Sequence, residues 1–255
     1  MITIAIQCYN FQRRLCWMLN SFLQQTIKDE LIVDVGYYKE NGNPSTESVI
    51  SFFREQGLTI KDTCFEDFDE FKKRGLVRNR QLKECATEWL LFSDSDMVYS
   101  SIYFERLLDA IDPAFQYIYT TGRMSTTKEV ANDVIFKHSY PSIIDNPFGI
   151  LENVQMEKKR HRSVGAGFSQ LINYKSCNHL GFYVDPEGCA DWSWDSKGKR
   201  KGQRARSDVQ FRKHIKRNAQ GDYSLKKLDD WFNKNQIHLN HARDKELGYH
   251  LEAQR

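Results

Sequence analysis

Two rhythms of apolar and polar positions run through the first 120 residues of the chain. Ile2, Ile4 and Ile6 form a short β-branched run ending at Gln7-Cys8-Tyr9-Asn10, which reads as a strand. Phe11, Leu15, Met18, Leu19, Phe22 and Leu23 then recur at helical offsets, one apolar stripe of a helix that Asn10 is placed to cap. Leu31 to Tyr38 is the next strand, broken by Asn41-Gly42-Asn43-Pro44. Ser48 to Glu55 follows as a helix and Leu58-Thr59-Ile60 as a short strand. Residues 77 to 88 make a helix with Leu82, Cys85 and Ala86 inward, leading to the buried strand Trp89-Leu90-Leu91-Phe92 and then to Ser93-Asp94-Ser95-Asp96. A further helical stripe, Ile102, Leu107, Leu108 and Ile111, stops before Pro113, and Tyr117 to Thr121 is another strand.

Strand and helix in alternation predict an α/β fold with a mostly parallel central sheet flanked by helices on both faces. Ligands of such sheets lie beyond the carboxyl ends of the strands, where Tyr9-Asn10 and Asp94-Ser95-Asp96 both sit. The second half is less regular. Residues 122 to 165 hold a charged run, Glu157-Lys158-Lys159-Arg160-His161-Arg162, without a clear period. Gly165-Ala166-Gly167-Phe168 opens an ordered segment that reaches Gly181-Phe182, and Val209 to Arg217 is a helix candidate. No internal repeat and no Ser/Pro linker divides the chain, so residues 1–255 are expected to form one domain.

At 255 residues with 13% aromatic residues and 5 prolines, the chain is long enough to bury a large core and is not of disordered composition. No apolar run exceeds five residues, Leu15 to Leu19, which excludes a membrane-spanning helix. The N-terminal residues enter a strand pattern at once, with no secretory signal, so a cytoplasmic location with reduced thiols is expected. The six cysteines, at 8, 16, 64, 85, 177 and 189, include no Cys-Xaa-Xaa-Cys pair, which removes a zinc-ribbon reading. Net charge is only +3, yet its distribution is uneven. Lys197 to Arg217 carries ten Lys/Arg against one acid, Asp208; that segment holds +9 and leaves −6 for the rest. Such a basic stretch attracts an anionic partner, although a solvated charged loop is the plainer account.

Asp94 and Asp96, two apart at the end of a buried strand, are spaced to share one hard cation such as magnesium or manganese. An ordinary polar turn has the same composition. Upstream, Gly75-Leu76-Val77-Arg78-Asn79-Arg80 opens the helix that leads into this strand, so Arg78 faces the same end of the sheet and is placed to pair with a diphosphate. A surface salt bridge is the alternative for Arg78.

This stretch resembles the family 2 glycosyltransferases of the GT-A (Rossmann-like) fold, in which an Arg-Asn segment, helix, strand and Asp-Xaa-Asp motif follow in this order. The opening, Ile4 to Asn10 and Ser21-Phe22-Leu23-Gln24-Gln25-Thr26, is similar to that family too. Gln7-Cys8 stand where the family has Pro-Thr, and its acidic turn after the second strand is represented only by Glu40-Asn41-Gly42.

The resemblance implies a donor half over about residues 1–121 and an acceptor half over about 122–255. It places Tyr9 near a nucleoside base, Glu40 or Asn41 near base or ribose, and Arg78 near the diphosphate. Asp94 and Ser95 belong to donor binding, and Asp96, with Asp94, to the metal. Arg206-Ser207-Asp208-Val209 resembles the family's Glu-Asp segment, which makes Asp208 the catalytic base, though a helix cap would suit it equally. Ile237-His238-Leu239-Asn240-His241 resembles a segment of the β-1,4-galactosyltransferases in which a metal-binding methionine precedes a metal-binding histidine by three; His238 takes the first place and His241 the second. Gly165 and Gly167 resemble a glycine-rich segment beside sugar and acceptor. Trp192 and Trp194 offer a stacking wall, or are half-buried structural aromatics. Lys199, Arg200 and Arg204 border the acceptor side.

The expectation is therefore a manganese- or magnesium-dependent inverting transferase taking a nucleotide-sugar donor, with UDP implied by the family. Its acceptor is a hydroxyl on a polyanion, either a nucleic acid with a hydroxylated base or a phosphate-containing glycan. Two alternatives stay open: a metal-dependent nucleotidyltransferase, and a non-catalytic nucleic-acid-binding module on the same scaffold.

Overall fold

The computed structural model describes residues 1–39, 45–71, 74–160, 169–174, 193–194, 200–201 and 225–240. The first strand, β1 (Ile2–Cys8), is buried at every position but Gln7. A strand covered on both faces lies inside a sheet, and here β2 (Leu31–Tyr38) and β4 (Trp89–Asp94) flank it in parallel. The registers Ile4↔Val33 and Ile4↔Leu91 align the carboxyl ends of all three. Beyond β2 lies the parallel edge strand β3 (Ile60–Phe65). On the other side β9 (Ser169–Asn173) runs antiparallel between β4 and β6 (Tyr117–Tyr119), and β12 (Leu225–Lys227) closes the edge in parallel with β6. Among the described residues the sheet thus has seven strands in the order β12-β6-β9-β4-β1-β2-β3.

Side chains alternate between the two faces of this sheet, and helices cover both. Ile2, Ile4 and Ile6 meet Leu15, Met18, Leu19 and Phe22 of α1 (Gln12–Leu23), Val49, Ile50 and Phe53 of α2 (Thr46–Glu55), and Phe104 and Leu107 of α5 (Tyr103–Ala110). Ala5, Leu90 and Phe92 face the opposite way, onto Leu82 of α4 (Arg74–Lys83). Helix α4 lies so close to β2 that a Cβ on Gly36 would stand 2.7 Å from Val77 Cγ1. A short helix, α3 (Phe68–Phe71), precedes it.

A second sheet, in the order β5-β13-β7-β8, is built from β5 (Met97–Tyr99), β7 (Gly122–Thr126), β8 (Met156–Arg160) and β13 (Gln236–His238). Its Val98 and Ile237 pack against Val134 and Ile135 of α6 (Lys128–Phe136), Phe148 and Leu151 of α7 (Pro147–Glu152), and Trp17 of α1. The helix α8 (Asp230–Lys234) leads into β13. A two-strand hairpin pairs β10 (Ser193–Trp194) with β11 (Arg200–Lys201).

Several boundaries differ from the sequence expectation for identifiable reasons. Asn10 does not cap α1: it adopts a left-handed conformation, φ 55°, and Phe11 takes the cap position without a side-chain hydrogen bond. Asparagine tolerates that conformation, and it turns the chain sharply out of β1. Helix α2 begins at Thr46 because Ser45 caps it, its side chain accepting from Ser48 N at 3.2 Å. Strand β3 starts at Ile60 and continues through the polar Lys61-Asp62-Thr63, an edge-strand composition that hides it from a hydrophobic reading. Helix α4 stops at Lys83, leaving Cys85 buried beyond its end and Ala86 exposed. Ile102 is exposed rather than part of the inward stripe of α5. Residues 122–160, without a legible period, contain two strands and two helices. Cys8, Cys16 and Cys85 are buried and Cys64 is exposed. No helix among the described residues is long and apolar enough to cross a membrane.

Candidate active site

The Asp-Ser-Asp segment lies where the two sheets meet. Strand β4 delivers Asp94 at its carboxyl end, Ser95 and Asp96 make a two-residue turn, and β5 carries the chain into the second sheet. Strand β13 pairs antiparallel with β5, setting His238 opposite Met97, and the Leu239 N–H donates to the Asp96 main-chain carbonyl at 2.9 Å. The same strand runs parallel to β7, so His238 also lies beside Ser125.

This double register brings His238 Nε2 to 3.0 Å from Asp96 Oδ2, with both side chains more than nine-tenths buried. His238 Nδ1 lies 3.1 Å from Ser125 Oγ. Arg123, two residues before Ser125 and on the same face of β7, sets Nη1 3.6 Å from Asp94 Oδ2 and 3.7 Å from Met97 Sδ. The Tyr99 hydroxyl is 2.7 Å from Ser93 Oγ, and its pKa is pushed up, first by burial and further by the nearby Asp94 and Asp96 charges. Arg14 of α1 lies within electrostatic reach of Asp96; burial lowers its pKa, and the charge on Asp96 opposes that shift.

The arrangement is a buried carboxylate–imidazole pair beside a second, partly exposed carboxylate. Its donor atoms, carboxylate oxygens and an imidazole nitrogen, suit manganese or magnesium. The 3.0 Å separation of Asp96 Oδ2 and His238 Nε2 matches adjacent donors on one small divalent ion, whose bonds are about 2.1 Å long. Asp96 and His238 therefore fit as two ligands. No group of three His, Cys, Asp or Glu side chains converges among the described residues, and His241 lies outside them.

Tyr9 and Arg78 occupy other parts of the sheet's carboxyl end. The Tyr9 ring, 37% exposed, rests on Phe68 at 5.0 Å, Phe71 at 5.9 Å and Tyr38 at 6.4 Å between centroids. The result is an aromatic floor at the ends of β1 and β2, tied down where Gln7 Nε2 donates to the Phe71 carbonyl at 2.8 Å. Arg78 is inside α4 rather than at its start; it is buried, its guanidinium 5.1 Å from the Phe92 ring centroid and donating to Gln170 Oε1 at 3.5 Å. Ser95 is buried in the turn.

Of the other sequence candidates, Glu40, Asn41, Gly165, Gly167, Trp192, Lys199, Arg204 and Asp208 lie outside the described residues, as does the Val209 to Arg217 helix candidate. Trp194 and Arg200 pair across the β10–β11 hairpin. Sequence reasoning missed Arg123, Ser125, Arg14 and the aromatic floor. Only the last left a sequence trace, the three-residue spacing of Phe65, Phe68 and Phe71. The site draws on both sides of residue 121: Asp94 and Asp96 precede it, and Arg123, Ser125 and His238 follow it.

No protein-family model matches the chain, and no curated protein matches it in sequence. Solved structures do match. The chain is similar to S. aureus TarS residues 1–349, with a TM-score of 0.61 and 16% identity over 93% of this chain and 60% of that one. It is similar to the mannosyltransferase PcManGT from Pyrobaculum calidifontis in complex with GDP-Man and Mn2+, with a TM-score of 0.57 and 12% identity over 95% and 57% of the two chains. For glucosyl-3-phosphoglycerate synthase from Mycobacterium tuberculosis in complex with Mg2+ and UDP, the TM-score is 0.51 and the identity 11% over 96% and 74%. This chain thus spans less than two thirds of the first two. The fold is the GT-A arrangement that the opening residues and the Asp-Ser-Asp segment resemble.

Proposed function

We propose that this chain is a divalent-metal-dependent glycosyltransferase that moves a sugar from a nucleotide diphosphate donor, a UDP-sugar, to an acceptor hydroxyl with inversion. The observation that carries this reading is the 3.0 Å meeting of His238 Nε2 with Asp96 Oδ2, beside Asp94 at the carboxyl end of β4.

Asp96 and His238 would hold manganese or magnesium, with Asp94 next to them and His241 the further ligand that the galactosyltransferase-like segment offers. Lewis-acid stabilisation of the departing diphosphate, several kcal/mol, is what such an ion supplies when bound. Arg123 holds Asp94 in place by charge. Tyr9 with its aromatic floor receives the nucleoside base, Glu40 or Asn41 the base or ribose, Ser95 the donor, and Arg78 the diphosphate side. Asp208 takes the proton from the acceptor hydroxyl, a general-base contribution of about 10²–10⁴-fold. Gly165, Gly167, Trp192, Trp194, Lys199, Arg200 and Arg204 form the acceptor side, and the basic stretch from Lys197 to Arg217 suits an anionic polymer as acceptor.

A thermal-shift screen of UDP- and GDP-sugars with and without manganese tests this function. One donor class should raise the midpoint only when metal is present, and Asp96→Ala should abolish that shift. Asp208→Asn should keep the shift and lose most turnover of the donor so found. Stabilisation that survives a chelator, or none with any nucleotide sugar, would overturn the reading.

A further inference from the structure

We propose that Asp34 and Gln81 form a proton-dependent latch between the large sheet and α4, closed when the Asp34 carboxyl is protonated and released when it is ionised. Helix α4 meets β2 where Val77 stands over Gly36, with no room between them for a Cβ. One turn further along the helix, Gln81 reaches both strands below. Its Nε2 donates to the Ile6 carbonyl of β1 at 2.9 Å and to the Asp34 carbonyl of β2 at 3.0 Å. Gln81 and Asp34 are each 1% exposed, so this tether is out of reach of solvent.

A primary amide has two hydrogens, and both are spent on those carbonyls. Only Oε1 remains to Gln81, an acceptor that is buried and without a partner. The Asp34 carboxyl lies beside this amide, and both of its oxygens are likewise buried and without a partner. An ionised carboxylate has nothing to donate to Oε1, whereas a protonated one has an O–H that Oε1 accepts. The arrangement therefore selects the acid form. Ionised Asp34 gains a donor only by drawing an Nε2 hydrogen away from Ile6 or from its own carbonyl, which unties α4 from a strand and leaves a buried acceptor short.

The surrounding charges leave the choice to burial. Burial raises the Asp34 pKa from 3.8 to about 6, Lys61 of β3 opposes it, and Glu84 and Asp62 add to it. On the β1 side the residue in register is the uncharged Ala5. Lys61 is engaged elsewhere, its Nζ 3.0 Å from Glu84 Oε2 and donating to the Glu84 carbonyl at 3.0 Å. An opening of α4 that exposes Asp34 restores ordinary acidity. The closed state is thus fully favoured below about pH 4, and its advantage is lost as pH rises through about 6. About two pKa units correspond to a rise of about 100-fold in the opening constant. The latch stands apart from the nucleotide reading, but its consequence for Arg78, three residues earlier on α4, rests on that reading: the seated helix keeps Arg78 on the diphosphate side.

The test uses the whole chain and two pH series. In native-state amide exchange, α4 should open without the rest of the sheet, and its opening constant should rise about 100-fold from about pH 4 to about pH 7. Asp34→Asn, uncharged and with an N–H for Gln81 Oε1, should abolish that rise. Exchange of α4 only together with the amides of β1 and β4, or the same rise in Asp34→Asn, would overturn the latch. In NMR of the unmodified chain, the Gln81 side-chain amide should titrate with the midpoint of the Asp34 carboxyl carbon. A Gln81 signal indifferent to that titration would also overturn it, and this readout decides alone should Asp34→Asn not fold. Neither measurement contains nucleotide or metal, so a chain that bound no nucleotide sugar would overturn the proposed function and leave the latch to be judged by these results.

Discussion

Asp34→Asn should make the protein more stable at neutral pH, and by a margin that grows with pH. Asp34 lies in the middle of β2, 1% exposed, in register with Ala5 on one side and Lys61 on the other. The neighbouring Gln81 Nε2 spends its hydrogens on the main-chain carbonyls of Ile6, at 2.9 Å, and Asp34, at 3.0 Å. Neither carboxylate oxygen of Asp34 therefore receives a hydrogen bond. Burial raises the carboxyl pKa from 3.8 to about 6, against the opposing pull of Lys61. A shift of about two units corresponds to roughly 3 kcal/mol between the protonation states. Because the folded pKa lies above the unfolded one, the fold favours the protonated acid. Its full contribution is present below about pH 4 and is lost as pH rises through about 6. Asparagine has no charge to bury, and its amide can donate to Gln81 Oε1, a buried acceptor without a partner. Urea unfolding of both proteins from pH 4.5 to 8 measures the difference. The variant's advantage should be small at pH 4.5 and approach about 3 kcal/mol at pH 7.5. A margin that does not change with pH, or a variant less stable at pH 7.5, would refute the reasoning.

Other substitutions probe separate parts of the structure. Gly36→Ala forces a Cβ to within 2.7 Å of Val77 Cγ1, and the resulting shift of α4 should cost about 1–3 kcal/mol in chemical denaturation. Ser45→Ala removes the side-chain acceptor for Ser48 N and should cost about 1 kcal/mol, read as a lower unfolding midpoint. Tyr9→Ala removes the exposed ring of the aromatic floor; nucleotide binding by calorimetry should weaken by the equivalent of about 1–3 kcal/mol with the fold unaffected.

The parts of the fold that could be read from sequence are those whose burial is uniform. Strands β1, β2 and β4 are rich in β-branched and apolar residues because helices cover both faces, and α1 shows its stripe because Leu15, Met18, Leu19 and Phe22 all face the large sheet. Strands β5, β6 and β13 have three residues each, too few for an alternation to register. Strand β8 shows no alternation: Met156 is followed by Glu157, Lys158 and Lys159, a pattern that reads as a charged loop until β7 is set against it. The same holds for the site. Asp94 and Asp96, two apart, stand out in the sequence, whereas His238 stood out there only through a resemblance. Arg123 and Ser125 bear no motif; only the register of β7 against β13 turns them toward the acids.

The place of β13 in the second sheet also dictates when the site can exist during synthesis. Strands β5 and β7 are each paired to β13 and not to one another, so the centre strand of that sheet is the last of the four to be made. At translation speeds of about 5–20 residues per second, a nascent chain waits several seconds or more between Asp96 and the arrival of its histidine partner. Throughout that interval β5 and β7 present open edges to one another, available for a wrong pairing that would shut the slot. A ribosome stalled before residue 236 therefore holds a polypeptide with its acidic turn complete and the slot for β13 still vacant, a state to which a chaperone or a protease has access and the finished protein does not return without unfolding that sheet.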